Sequence, residues 1–198
     1  MERVYLDHAA TSPMHHEVIE EMTSVMKEYF GNPSSIHSFG RASRHLVDSA
    51  RTIIAQSIHA DYNEIIFTSG GTEADNLAII GSAGANKGKG NHIITTQTEH
   101  HAVLHTVEQL EKDGVKVSYV NLDGHGRVDY DHLESLLKSH PNTLVSLMHA
   151  NNEIGNLLDL EKVGDMCEEY GAVFHSDTVQ SMAHYEHDMS KLKLDFAV

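Results

Sequence analysis

The chain contains a single cysteine, Cys167, which excludes internal disulfides and any cysteine-rich zinc site. It is also poor in positive charge. Fourteen lysines and arginines face 29 acidic residues, a formal charge of -15, so neither a nucleic-acid surface nor one for anionic membranes fits. No apolar run approaches the length of a membrane span, and the first residues have no signal-peptide pattern, so a cytoplasmic protein is expected. Internal repeats, low-complexity tracts and linkers are lacking, and no domain boundary is expected within the 198 residues. Two phosphate-binding signatures are absent as well. No Gly-Lys-Ser/Thr follows a glycine turn, which excludes a P-loop, and there is no Gly-x-Gly-x-x-Gly to mark a dinucleotide site. With 40% hydrophobic residues, the chain can still build one substantial core or a large part of a bigger one.

What is present is a regular alternation. After an extended piece, Val4-Tyr5-Leu6, the pair Ser12-Pro13 predicts a helix start, and Val18, Ile19, Met22, Val25, Met26 and Phe30 recur at helical spacing. Gly31 and Pro33 end that helix, and Phe39, Ala42, Leu46, Ala50, Ile53 and Ile54 mark a second. From Ile65 onward the pattern predicts strand 65–68, a helix from Thr72, strand 92–95, helix 101–112, strand 115–120, helix 130–138, strand 143–148, helix 159–169, strand 172–176 and an apolar stretch 192–198. Gly114, Gly171, Lys87-Gly88-Lys89-Gly90 and Asp123-Gly124-His125-Gly126 punctuate the connections. Alternation of this kind predicts an α/β fold, with a parallel sheet carrying helices on both faces.

The stretch Ile65-Ile66-Phe67-Thr68-Ser69-Gly70-Gly71-Thr72-Glu73 reads as a strand, a glycine turn and a helix start. The first N–H groups of a helix have no intrahelical partner, and its dipole favours an anion there, so Gly71 and Thr72 suit a phosphate cup. An ordinary hydroxyl N-cap explains the same residues. Ligands of open α/β sheets bind beyond the carboxyl ends of the strands. Those ends deliver Thr98-Glu99-His100-His101, His149-Ala150-Asn151-Asn152-Glu153-Ile154-Gly155 and His175-Ser176-Asp177-Thr178-Val179-Gln180. Pyridoxal phosphate needs a phosphate cradle, an acid at its ring nitrogen, a donor near its ring oxygen, a flat partner and a lysine. Asp177 suits the ring nitrogen, Gln180 the ring oxygen, His100 the stacking partner, and Asn152 the ring oxygen or a substrate carboxylate. Taken singly, each also has an ordinary explanation: a strand-end cap, a solvated helix residue, a surface histidine and a turn amide.

Six blocks together, Leu6-Asp7-His8-Ala9-Ala10-Thr11-Ser12-Pro13, Gly31-Asn32-Pro33-Ser34-Ser35-x-His37, Phe67 to Asn76, Thr98-Glu99-His100, His149 to Gly155 and His175 to Ser181, resemble the class V aminotransferase superfamily, and within it the cysteine desulfurases. The resemblance runs the length of the chain. It implies the large domain of pyridoxal phosphate fold type I, with residues 1–35 as an N-terminal segment and helix, and a homodimer. It implies an enzyme that takes L-cysteine and pyridoxal phosphate, releases alanine and hands the sulfur as a persulfide to an acceptor scaffold or thiolation protein; another class V lyase or transaminase, or a non-catalytic binding or dimerising piece, is the alternative. By matching position it puts Gly71 and Thr72 at the phosphate, His100 over the ring as the catalytic histidine, Asn152 and Gln180 at oxygens and Asp177 at the pyridine nitrogen.

The departures from that pattern carry expectations of their own. The family's Schiff-base lysine follows the strand that Leu194-Asp195-Phe196-Ala197-Val198 begins, so Lys191 and Lys193 do not match it and are expected at the surface. The persulfide cysteine and the C-terminal small domain are likewise not matched, and these 198 residues alone are expected to be inactive. Cys167, with Val163 and Met166 on one helix side, is expected to pack as a small hydrophobe. Alanine is common in the family where this chain has Gly71, a mild change. Seventeen histidines invite a metal reading, and His101 and His105 share a helix face, but no glutamate lies within that pair as a metalloprotease requires, and no metal site is expected.

Overall fold

The computed structural model describes residues 3–85 and 91–198, so the turn expected at Lys87-Gly88-Lys89-Gly90 lies outside the described residues. They divide into two compact units, residues 1–66 and 67–198. Among the described residues every strand of the sheet lies in the second unit, from His92 onward.

The first unit holds α1 (His16–Glu28), α2 (Ser38–Ser57) and a 3-10 turn, Tyr62–Glu64. Helix α1 starts later than Ser12-Pro13 predicts: its first backbone bonds run from Val18 and Ile19 to the His15 carbonyl, and His15 is still extended. At the head of α2 the His37 ring accepts from the Gly40 N–H at 3.3 Å. Gly31 and Gly40 leave no room for a Cβ, since the 31–35 turn lies directly against the first turn of α2. Asp48 ties α2 to the 3-10 turn by accepting from the Tyr62 hydroxyl at 2.7 Å while Arg44 bonds its other oxygen. The segment 65–68 is not a strand. Ile65 is extended, but a strand needs a neighbouring ladder, none among the described residues pairs with it, and Ile66 is left 67% exposed. Val4-Tyr5-Leu6 likewise forms no strand and is exposed.

The second unit contains α3 (Gly71–Ala85), β1 (His92–Thr95), α4 (His101–Lys112), β2 (Lys116–Tyr119), α5 (Tyr130–Ser139), β3 (Leu144–Ser146), α6 (Leu160–Tyr170), β4 (Val173–Ser176) and β5 (Phe196–Ala197). Among the described residues the five strands are all parallel, in the order β2-β1-β3-β4-β5. Side chains alternate across the sheet as a period of two requires. Ile94, Val145 and Phe174 enter one core with Leu133, Leu137, Val163 and Cys167 of α5 and α6, whereas Ile93 and Leu144 enter another with Ile79, Val103 and Val107 of α3 and α4. Three layers result, and the expected α/β fold with helices on both faces is the one observed.

Helices α5 and α6 open on carboxylate caps, Asp129 accepting from the His132 N–H and Asp159 from the Lys162 N–H, each at 3.0 Å. Helix α6 closes on Gly171 in the left-handed region, at φ 65°. The apolar stretch 192–198 yields only a two-residue strand. It is fixed beside β4 because Asp195 accepts from the Phe174 N–H at 2.7 Å and Gly164 lets the Lys193 backbone pass close to α6. Among the described residues no helix is long and apolar enough to cross a membrane.

Candidate active site

The connections that leave β1, β3 and β4 all emerge at the carboxyl edge of the sheet, and α3 opens beside them. Ser69 donates to Glu73 through both its N–H and its hydroxyl, each at 2.6 Å, which pins the glycine turn to the helix it precedes. Glu73 is held below the usual carboxylate range, first by the Ser69 hydroxyl and then by the Ser69 N–H. The amides of Gly71 and Thr72 lie in the opening turn, where a helix offers them no acceptor. A Cβ at Gly71 would approach Val179 Cγ2 to 3.0 Å, so this turn lies against the one that follows Asp177. Val179 is exposed and able to give way, which makes alanine at this position the mild change the sequence suggests.

Thr72 is exposed, and it shares a groove of about 520 Å³ with Asn76, His100, His101, His105 and Thr106. One wall is braced between helices: Asn76 donates to the Thr72 carbonyl and accepts from the Thr106 hydroxyl, both at 2.6 Å. His100 caps α4, its Nδ1 accepting from the Ala102 N–H at 3.2 Å, and its ring remains exposed. His101 and His105 stack 5.2 Å apart, and among the described residues no group of three potential metal ligands gathers.

Asp177 is 5% exposed and accepts from the Val179 N–H at 3.0 Å, and its own carbonyl accepts from the His149 N–H. Burial raises its carboxyl above the usual range and Asp75 adds to the effect, while the Val179 N–H, His100 and His175 pull the other way. Gly71, Thr72, His100 and Asp177 are therefore gathered at one edge. Gln180 is half-buried, three residues along the turn from Asp177. Asn152 is joined less directly: its amide reaches Glu153 at 3.3 Å, and the neighbouring Asn151 ties the turn to the Thr98 carbonyl at 2.7 Å.

Beneath these residues lies a buried polar layer that the sequence analysis did not single out. Asp75 and His175, 1% and 0% exposed, approach to 3.3 Å at an angle poor for a hydrogen bond, and His175 also meets the Ser146 hydroxyl at 2.9 Å. Glu99 is buried against the Thr96 hydroxyl. His149 Nδ1 meets Ser181 Oγ at 2.8 Å and His187 Nε2 at 3.2 Å. The Tyr185 carbonyl, 3.0 Å from His187 Nδ1, accepts a hydrogen bond from it. Burial, and then His187, push His149 down to about 4, so it is neutral at ordinary pH. A signal for part of this layer was available, since Asp75 falls at helical spacing with the core residues Ala78 and Ile79.

The residues excluded from chemistry behave as the sequence suggests. Burial, with Asp195 nearby, raises the Cys167 thiol to about 12, too high for a nucleophile. Lys191 pairs with Asp188 at 2.6 Å, and Lys193 pairs with Asp165 at 2.8 Å and with Glu168. Both lysines are at the surface.

Comparison with known proteins gives this edge a context. The family model described as aminotransferase class-V matches residues 4–198. A Bacillus subtilis protein assigned as the cysteine desulfurase IscS 1 is 52% identical over 195 residues, 98% of this chain and 51% of its own length. A cysteine desulfurase IscS of Clostridium botulinum is 46% identical over 193 residues, 98% of this chain and 48% of its own. A solved NifS-like protein superposes with a TM-score of 0.94 at 35% identity, over 99% of this chain and 54% of its own. A structure described as SspA in complex with cysteine superposes at 0.90 with 34% identity, over 96% of this chain and 55% of its own. The chain spans about half the length of the curated relatives it matches.

Proposed function

The chain belongs to the class V aminotransferase family, and from that membership we propose that the full-length protein is a pyridoxal phosphate-dependent cysteine desulfurase. The observation that carries the reading is the gathering of an open helix N-terminus at Gly71 and Thr72, an exposed flat ring at His100 and a buried carboxyl at Asp177 on one sheet edge. These residues fit the cofactor on two counts. The first turn of α3 has no side chain at Gly71 and lies close to Val179, which suits a phosphate held by backbone amides. The buried Asp177 carboxyl is raised by desolvation against the weaker pull of the Val179 N–H, His100 and His175, and a protonated pyridine nitrogen would stabilise its charge further.

When bound, pyridoxal phosphate supplies an electron-withdrawing ring that stabilises negative charge developing on the substrate carbon. The work of this chain's residues is to bind and orient. Gly71 and Thr72 would hold the phosphate with the positive end of α3, and His100 would cover the ring face. Asp177 would keep the ring nitrogen protonated, Gln180 would donate to the ring oxygen, and Asn152 would donate to the ring oxygen or the substrate carboxylate. L-Cysteine is the substrate: its sulfur passes to a protein thiol, which becomes a persulfide, and alanine leaves. Cys167 is too deeply buried to be that thiol. The reading includes a cytoplasmic homodimer that delivers sulfur to a scaffold or thiolation protein. The test is to incubate the full-length protein with pyridoxal phosphate, cysteine and a thiol reductant, and to measure alanine and sulfide. Equimolar amounts well above a cofactor-free control are expected; alanine at control level would refute the assignment.

A further inference from the structure

Glu99 precedes His100, yet it faces the interior: it is 6% exposed, its Oε1 accepts from the Thr96 hydroxyl at 2.7 Å, and the Met148 backbone lies beside it. The carboxyl thus sits between the ends of β1 and β3. Its second oxygen, Oε2, is buried and has no hydrogen-bond partner among the described residues. Glu99 lines a cavity of about 110 Å³ that Thr96, Asn151, Asn156, the exposed Arg127 and Tyr130 also line. Of the charged groups around it, Asp177 beyond β4 and Asp75 on α3 both disfavour ionisation. A negative charge at this place would be desolvated, short of partners and close to two other acids, and its escape route is toward water.

We propose that Glu99 is a positioning residue that acts as a neutral acid, seated between the ends of β1 and β3 so that the turn from β1 to α4 presents His100 to the cofactor, and that its ionisation releases this turn. The inference rests on reading the edge as a pyridoxal phosphate site. Burial is the main cause that raises the Glu99 carboxyl to about 8, with Asp177 and Asp75 adding to it and the Thr96 hydroxyl and Met148 backbone opposing it. The sign for stability follows. An unfolded chain releases this proton near 4.5 and the folded one near 8, so stability falls as pH rises through that window and levels off above it. Glutamine mimics the neutral acid and has no proton to lose.

Wild type and Glu99→Gln of the full-length protein would be compared from pH 5 to 9.5, reading Tm and the dissociation constant for pyridoxal phosphate. The Tm advantage of Glu99→Gln over wild type should grow between pH 5 and 8. The two affinities should be similar at pH 7, and by pH 9.5 wild type should bind about thirtyfold more weakly than Glu99→Gln, because the competent neutral form has become a minor population. In a His100→Ala background that alkaline difference should shrink toward zero, which a merely structural Glu99 would not produce. Parallel affinity profiles for wild type and Glu99→Gln, or an alkaline difference that survives His100→Ala, would overturn the inference. Failure of wild type to bind pyridoxal phosphate at any pH is a separate result: it overturns the reading of the site itself, and this inference with it.

Discussion

Asp177→Asn in the full-length protein is expected to lower the turnover of cysteine by about 10²–10³-fold, the scale seen when one preorganised electrostatic partner is removed, and to change KM little. Asparagine keeps the volume and can still accept from the Val179 N–H, so the turn after β4 should survive. What disappears is the negative charge in a poorly solvated place. Burial raises this carboxyl and Asp75 opposes its charge, yet the Val179 N–H, His100 and His175 favour the ionised form. A cationic partner would complete that balance, and it would matter most when negative charge builds up on the substrate. Steady-state alanine release reads the effect, and a mutant with wild-type turnover would reduce Asp177 to a structural cap.

Phe174→Ala is expected to destabilise the 67–198 unit by about 3–5 kcal/mol, the usual cost of truncating a buried aromatic. Phe174 is fully buried in β4, where it meets the core side chains of α5 and α6. The same strand delivers Asp177 three residues later, so the core on that face also fixes the height of the site. Urea unfolding followed by far-UV circular dichroism measures the loss. A change below about 1 kcal/mol would mean that neighbouring side chains close the cavity, and that the packing of β4 is looser than its burial suggests.

Much of this architecture was legible because one face of each element is buried. Strand β1 was predicted to the residue, since a fully buried four-residue run between a polar turn and a helix allows little else. Helix α4 was predicted to the residue too, although the role of His100 as its cap was not. The segment 65–68 misled because Ile65, Ile66 and Phe67 have strand composition, whereas a strand also requires a hydrogen-bonding neighbour, which composition does not reveal. The ligand-facing residues could be found because strand ends and helix starts are local features. The layer beneath could not: Asp75 and His175 are 100 positions apart in sequence, and His149 meets His187 only through the fold of the 177–187 turn. Glu99 was quoted within a motif, but only the burial of its carboxyl separates it from the exposed ring beside it.

The central claim is that one sheet edge holds pyridoxal phosphate through residues of this chain. A crystal structure of the full-length protein grown with the cofactor tests it most directly. The account predicts the phosphate within hydrogen-bond distance of the Gly71 and Thr72 amides, the His100 ring over the pyridine face, the ring nitrogen against an Asp177 oxygen and the ring oxygen within reach of Gln180. A cofactor bound elsewhere, or one whose ring nitrogen faces away from Asp177, would contradict it.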